Sequence, residues 1–222
     1  MHELPLHFRD GHLFAELAGD LWLLDTGAPA SFGTTGALAL AGESFSVGAG
    51  YMGLDTATLS ELTGVRCAGL LGADVLGRFD HILDVPAGTL RLSSEELTHD
   101  GQILDLEEFM GIPIVHARLG EVECRMMFDT GAQLSYFQDD SLSGFPEAGI
   151  VTDFYPGFGQ FETQTYRLPV TIGETRLTLR CGSLPTLLGL TLSMAGTQGI
   201  VGNEILATRV VGYFPGRRLL VI

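Results

Sequence analysis

Leu23-Leu24-Asp25-Thr26-Gly27-Ala28 returns 104 residues later as Met127-Phe128-Asp129-Thr130-Gly131-Ala132, and the organisation of the chain follows from that repetition. Each copy ends a strand-like apolar run and precedes a second apolar stretch. A further shared pattern lies downstream: Gly69-Leu70-Leu71-Gly72-Ala73-Asp74-Val75-Leu76 in the first half and Gly199-Ile200-Val201-Gly202-Asn203-Glu204-Ile205-Leu206 in the second. Asp and Gly are common turn residues, so a single Asp-Thr-Gly would be read as an ordinary turn. Two copies in register with the same downstream element mark a duplicated unit instead.

The surroundings repeat as well. Alternating segments at 13–17 and 21–24, joined at Gly19-Asp20, predict a hairpin before the first Asp-Thr-Gly. Segments 112–119 and 122–128, joined at Gly120-Glu121, predict its counterpart. Each half therefore reads as hairpin, Asp-Thr-Gly turn, further hairpin, apolar-apolar-Gly, short helix and closing strand. Two lobes are expected, residues 1–98 and 99–222. An acidic connecting region at 93–111 is expected to carry a short helical turn and a strand.

The spacing locates one difference between the halves. Asp25 to Gly72 is 47 residues and Asp129 to Gly202 is 73, an excess of 26. Gly42-Glu43 and Gly173-Glu174 match as hairpin turns, and beyond them the copies agree, with 29 residues from Glu43 to Gly72 and 28 from Glu174 to Gly202. The excess thus falls between Gly131 and about Tyr166. Within it, residues 149–165 carry aromatic residues on both sides of Pro156-Gly157, which predicts one projecting, glycine-tipped hairpin that only the second half possesses.

Composition bounds the function. The 222 residues are 45% hydrophobic, and 30 Gly with 9 Pro point to a turn-rich, mostly β chain. All 12 basic residues are Arg, and 27 acidic residues bring the formal charge to −15. No basic face can be assembled for phosphates, so neither nucleic acid nor an anionic membrane surface is expected as partner. No apolar signal segment or membrane-spanning run is evident, and a cytoplasmic location is expected. Cys67, Cys124 and Cys181, odd in number and widely spaced, read as buried small hydrophobes. The six histidines form no ligand pair on a helix, His2, His7 and His12 are expected near a solvated terminus, and no metal site is expected. Residues 48–53 match GxGxxG, but no long amphipathic helix follows, which argues against a dinucleotide site.

Paired Asp-Thr-Gly-Ala turns, each followed by an apolar-apolar-Gly element, resemble the two lobes of aspartic proteases of the pepsin and retropepsin clan. The alanine after each glycine and the Leu-Leu-Gly-Ala-Asp-Val-Leu run are more similar to retropepsin lobes, as is the length. The resemblance implies two pseudo-symmetric, retropepsin-like β-barrel lobes, each with a short helix and with a cleft between them. It also implies an aspartic endopeptidase that uses no cofactor, takes a peptide or protein substrate, and works as a monomer because both lobes are in one chain. Asp25 and Asp129 would be the catalytic pair; two carboxylates in contact cannot ionise independently and share a proton. Thr26, Gly27, Thr130 and Gly131 would support the active-site loops, the threonines by cross-linking them. Leu70-Leu71-Gly72 and Ile200-Val201-Gly202 would support those loops from beneath, with Asp74 and Glu204 at helix N-termini. Tyr155, Phe158 and Phe161 on the extra hairpin are candidate substrate-binding and flap residues, although pepsins carry their flap on the first lobe. Tyr51 is the first-half competitor for the flap tyrosine. The alternative reading is a catalytically silent protein of the same fold that binds extended peptides in its cleft.

Overall fold

The computed structural model describes residues 1–119, 121–138 and 140–222; Gly120, in the predicted Gly120-Glu121 turn, lies outside them. The chain is mostly β, with two large sheets of ten and eight strands. Both predicted hairpins form. His12–Leu17 pairs with Asp20–Leu24, and Ile112–Leu119 with Val122–Phe128, all antiparallel. Successive side chains point to opposite faces, and the strands His12–Leu17 and Ile112–Leu119 are covered on both over part of their length: Leu13, Phe14 and Ala15 are buried, as are Ile114 and Val115. Full burial of large side chains such as Phe14, Phe32, Phe79, Phe128 and Phe214 is worth roughly 1.5–3 kcal/mol each in area removed from water.

The repetition in sequence is a repetition of topology. Asp20–Leu24 lies parallel to Gly69–Leu71, which is antiparallel to Phe32–Gly33. Val122–Phe128 lies parallel to Gly199–Val201, which is antiparallel to Ser135–Phe137. In both halves a strand leading to an Asp-Thr-Gly turn is therefore flanked by the apolar-apolar-Gly strand. Helix Ala73–Leu76 and the 3-10 turn Asn203–Leu206 follow, as the repeat predicts.

The closing strands interlock the halves. The first sheet runs through Ile103–Asp105, Leu219–Val221, Val210–Phe214, Asp80–Asp84, Thr89–Ser93 and His2–Arg9 in that order, three strands from each half. At its centre Ile82 faces Gly212 and Leu83 faces Val211. The division expected between residues 1–98 and 99–222 is crossed by this sheet.

One expectation is corrected, and two helices were not foreseen. The connecting region holds no helical turn; after Thr89–Ser93 it forms the short strands Ile103–Asp105 and Glu107–Phe109, because each finds an antiparallel partner, Leu219–Val221 and Ile112–Leu119. A helix, Thr56–Thr63, does follow the residues 48–53, capped by the Asp55 carboxylate accepting from Thr58 N–H and ended by Gly64 at φ 68°. It is entered from a two-residue hairpin, Gly50–Tyr51 with Leu54–Asp55, and not from the parallel strand that a dinucleotide site requires. A second unexpected helix, Thr186–Met194, occupies the matching place in the second half. None of the helices among the described residues is long and apolar enough to cross a membrane. All three cysteines are buried, and no disulfide joins any two of them.

The central sheet carries a pH liability. His81 is buried and stacks on Tyr213 with ring centroids 5.4 Å apart. Neither ring nitrogen makes a well-formed hydrogen bond, and burial pushes its pKa down to about 4 against a weaker opposing pull from the Tyr213 backbone. Since the unfolded chain takes up this proton first, stability is lost as pH falls from about 6.5 through 4. At pH 4.5 the loss from this one group is on the order of 2–3 kcal/mol. His81→Phe should therefore gain on the native sequence by about that amount between pH 7 and 4.5 in urea unfolding; parallel pH dependences of the two proteins would refute the assignment.

Candidate active site

Both Asp-Thr-Gly turns meet at the interface of the halves, and their backbones are cross-linked by the two threonines. The Thr26 hydroxyl donates to Phe128 O (2.7 Å) and accepts from Thr130 N–H (3.0 Å). Reciprocally, the Thr130 hydroxyl donates to Leu24 O (2.8 Å) and accepts from Thr26 N–H (3.1 Å). Both threonines are buried, so these four bonds satisfy main-chain groups that water does not reach.

Each aspartate is held by its own turn. Asp25 Oδ1 accepts from Gly27 N–H (3.0 Å) and Ala28 N–H (2.8 Å). Asp129 Oδ1 accepts from Gly131 N–H (2.9 Å) and Ala132 N–H (3.1 Å). The glycines are required by approach across the axis. A Cβ on Gly27 would overlap the Asp129 carboxylate, and one on Gly131 the Asp25 carboxylate. Neither glycine has a positive φ, so it is the facing carboxylate and not turn geometry that excludes a side chain.

Burial, and next the charge of Asp129, hold the Asp25 carboxyl well above the ordinary carboxylate range. Asp129 is also raised, by burial first, with the charge of Asp153 adding to it. The turn amides pull the other way on both. The pair thus keeps a proton at pH values where isolated carboxyls have lost theirs, as two carboxylates in contact must.

The apolar-apolar-Gly strands support these turns from below. Asp25 N–H donates to Leu71 O and Asp129 N–H to Val201 O, both at 3.0 Å. Side chains at Gly72 or Gly202 would strike the backbone of residues 28–30 or 132–134. A serine six residues after each aspartate completes the arrangement: Ser31 Oγ accepts from Gly72 N–H (2.8 Å) and Ser135 Oγ from Gly202 N–H (3.1 Å). Asp74 does more than favour a helix terminus, because its carboxylate accepts from Ser31 N–H and the Ser31 hydroxyl. Glu204 turns to Arg167 and to Arg180 N–H.

The extra hairpin forms where the spacing places it. Glu147–Tyr155 pairs with Gly159–Ile172 down to Tyr155 opposite Gly159, leaving Pro156, Gly157 and Phe158 as the tip. Gly157 and Gly159 adopt φ of 77° and 93°, conformations that glycine tolerates at no steric cost. Alternation splits its aromatic residues between the halves: Phe154 packs with Tyr51 on the first-half cluster around Phe14 and Leu59, while Tyr155 and Phe161 pack on the second-half cluster around Tyr136 and Leu188. Phe158 at the tip is 42% exposed.

Together these elements enclose a mostly apolar cavity of about 490 Å³ lined by both aspartates and both glycines. Tyr155, Phe158 and Phe161 line it, and so does Tyr51. The two candidate tyrosines therefore face one space from opposite halves. The short first-half hairpin reaches further than its length implies, since its Met52 packs against Gly157 at the tip of the long one. Leu70 and Ile200, expected only as support, also form wall.

Several residues of this site had no place in the sequence reading. Ser31 and Ser135, with Phe32 and Tyr136 after them, extend the repeat by two positions and were readable from the alignment of the halves. His12, expected on a solvated terminus, is buried with Nδ1 3.3 Å from Gly131 O. Asp153, Gln133 and the unrepeated Asn203, whose Nδ2 donates to Gly11 O (2.8 Å) and Thr130 O (3.3 Å), left no periodic signal. Compared with known proteins, the chain matches no family model and no curated sequence.

Proposed function

We propose that the chain is an aspartic endopeptidase with two retropepsin-like lobes, in which Asp25 and Asp129 share one proton across the interface. The observation that carries this reading is the reciprocal threonine cross-link that holds two half-buried carboxylates face to face in an apolar cavity. In the mechanism, a water held between the carboxylates loses a proton to the ionised member as it attacks the scissile carbonyl. The protonated member donates its hydrogen bond to that carbonyl oxygen as negative charge develops there. That proton passes to the oxygen, giving a neutral tetrahedral diol. The carboxyl that took the water proton then delivers it to the nitrogen while the other carboxylate takes a hydroxyl proton, so the C–N bond breaks to a carboxylic acid and an amine without a covalent enzyme intermediate and the pair is left with one proton. The apolar walls strengthen each of these interactions by excluding bulk water.

An extended peptide fits the space between the turns and the hairpin tip. Tyr155, Phe158 and Phe161 would contact its side chains from the second half and Tyr51 from the first. Having both halves in one chain, the enzyme is active as a monomer. Cleavage of a denatured protein by the native chain, absent from an Asp25→Asn control, tests the reading; a silent cleft that binds peptide without cutting it is the opposing result.

The hairpin supplies a second expectation. Replacing residues 154–160 by a two-residue turn removes one wall and the roof of the cavity, and should raise KM by roughly 10-fold or more. Shortening Met52-Gly53 should cost less, because it removes only the smaller partner of the tip contact. Equal KM values for the shortened and native chains would show that the hairpin plays no part in holding substrate.

A further inference from the structure

Asp153 lies on the inner side of the long hairpin and is buried, yet it belongs to neither Asp-Thr-Gly turn. Its carboxylate accepts from the Tyr136 hydroxyl, from Gln133 Nε2 (2.9 Å) and from Phe154 N–H (2.8 Å). Tyr136 and Gln133 lie seven and four residues beyond Asp129, on the segment that leaves the second turn. The carboxylate thus ties the hairpin to the chain that carries Asp129, and both Asp153 and Asp129 line the same cavity. The first half has no counterpart; Phe32 stands where Tyr136 would be.

We propose that Asp153 is a positioning residue of the acid pair: it fixes the hairpin over the cavity, and its negative charge sets the pH at which the pair gives up its shared proton. The proposal rests on the peptidase reading for its catalytic consequence but not for its electrostatic one. The groups that face the cluster leave that charge uncompensated. Asp25 and Asp129 are acidic, Asp10 is on the His12 side, Tyr51 presents a phenol, and burial raises the pKa of the Tyr136 and Tyr155 phenols. Among the described residues His12 is the base close by, and burial lowers its pKa against the pull of Asp153, the Gly131 carbonyl and Asp10, which disfavours a compensating positive charge there. A third carboxylate beside the pair disfavours its fully ionised form.

The test is a pH titration of the Asp25 and Asp129 carboxyl carbons by NMR, alongside the pH dependence of kcat/KM. Asp153→Asn should move the pair's titration and both limbs of the activity profile to lower pH by at least about half a unit. Asp153→Glu, which keeps the charge, should restore them. Tyr136→Phe keeps the charge and removes one tie; its titration should match the native protein while hairpin amides exchange faster and KM rises several-fold. A titration in Asp153→Asn that coincides with the native one overturns the proposal. So does unchanged hairpin exchange in Tyr136→Phe, which decides the matter should Asp153→Asn not fold. A native chain that cleaves nothing while its titration moves as stated refutes the peptidase reading alone.

Discussion

Asp25→Asn and Asp129→Asn should each abolish peptide cleavage and, in the same molecules, raise the melting temperature near neutral pH. The loss of activity follows from the pairing. An Asn at either position leaves one carboxyl without a partner to share its proton, so either the base or the acid of the reaction is missing. General acid/base help of this kind is worth about 10² to 10⁴ in rate. The gain in stability follows from the same feature. The pair's affinity for its proton is raised by burial and mutual repulsion, so ionisation in the folded state costs stability as pH rises through that range. Asn removes the cost. The difference in melting temperature should therefore grow between pH 4 and 7 and vanish below the pH at which unfolded carboxyls are protonated. Variants that lose activity with no stability change at any pH would mean that the carboxylates do not repel each other across the axis.

Thr26→Val should be the most damaging single substitution away from the carboxylates themselves. It removes the hydroxyl that serves Phe128 O and Thr130 N–H, leaving two buried main-chain groups without partners. At about 1–3 kcal/mol for each unsatisfied group, the cost is about 2–6 kcal/mol, a large share of the stability of a protein this size. Thr26→Ser keeps the hydroxyl and should lose far less. Thr130→Val should behave as Thr26→Val does, because the cross-link is reciprocal, and the double variant should cost less than the sum of the singles. Measurement is by urea unfolding at fixed pH. Equal losses for Val and Ser would place the importance of Thr26 in packing and not in the cross-link.

The parts of this architecture that the sequence discloses are those that symmetry writes twice. The Asp turns, their supporting strands and the pairing hairpins each appear in two copies, so comparing the halves separates them from chance turns. The extra hairpin is legible for the complementary reason, as a break in that spacing. What stays hidden has no second copy or no period. Asp153 reads as a polar residue in an aromatic strand until pairing brings Tyr136 and Gln133 to it. His12 looks solvated because its partner, the Gly131 carbonyl, is 119 residues away. Helix Thr186–Met194 carries apolar residues on its exposed side as well, with Leu187, Leu190 and Met194 exposed, so no amphipathic stripe announces it. Thr56–Thr63, by contrast, has its signals in Asp55 and Gly64, and only its brevity conceals it.

The central claim is that two carboxylates sharing a proton hydrolyse peptide bonds in this cleft. A denatured protein substrate incubated with the native chain from pH 3 to 7, with and without pepstatin, tests it most directly. Cleavage is expected that is inhibited by pepstatin, falls away as the pair loses its shared proton, and is absent from Asp129→Asn across the whole range. Tight peptide binding with no cleavage at any pH, or cleavage that survives in Asp129→Asn, would contradict it.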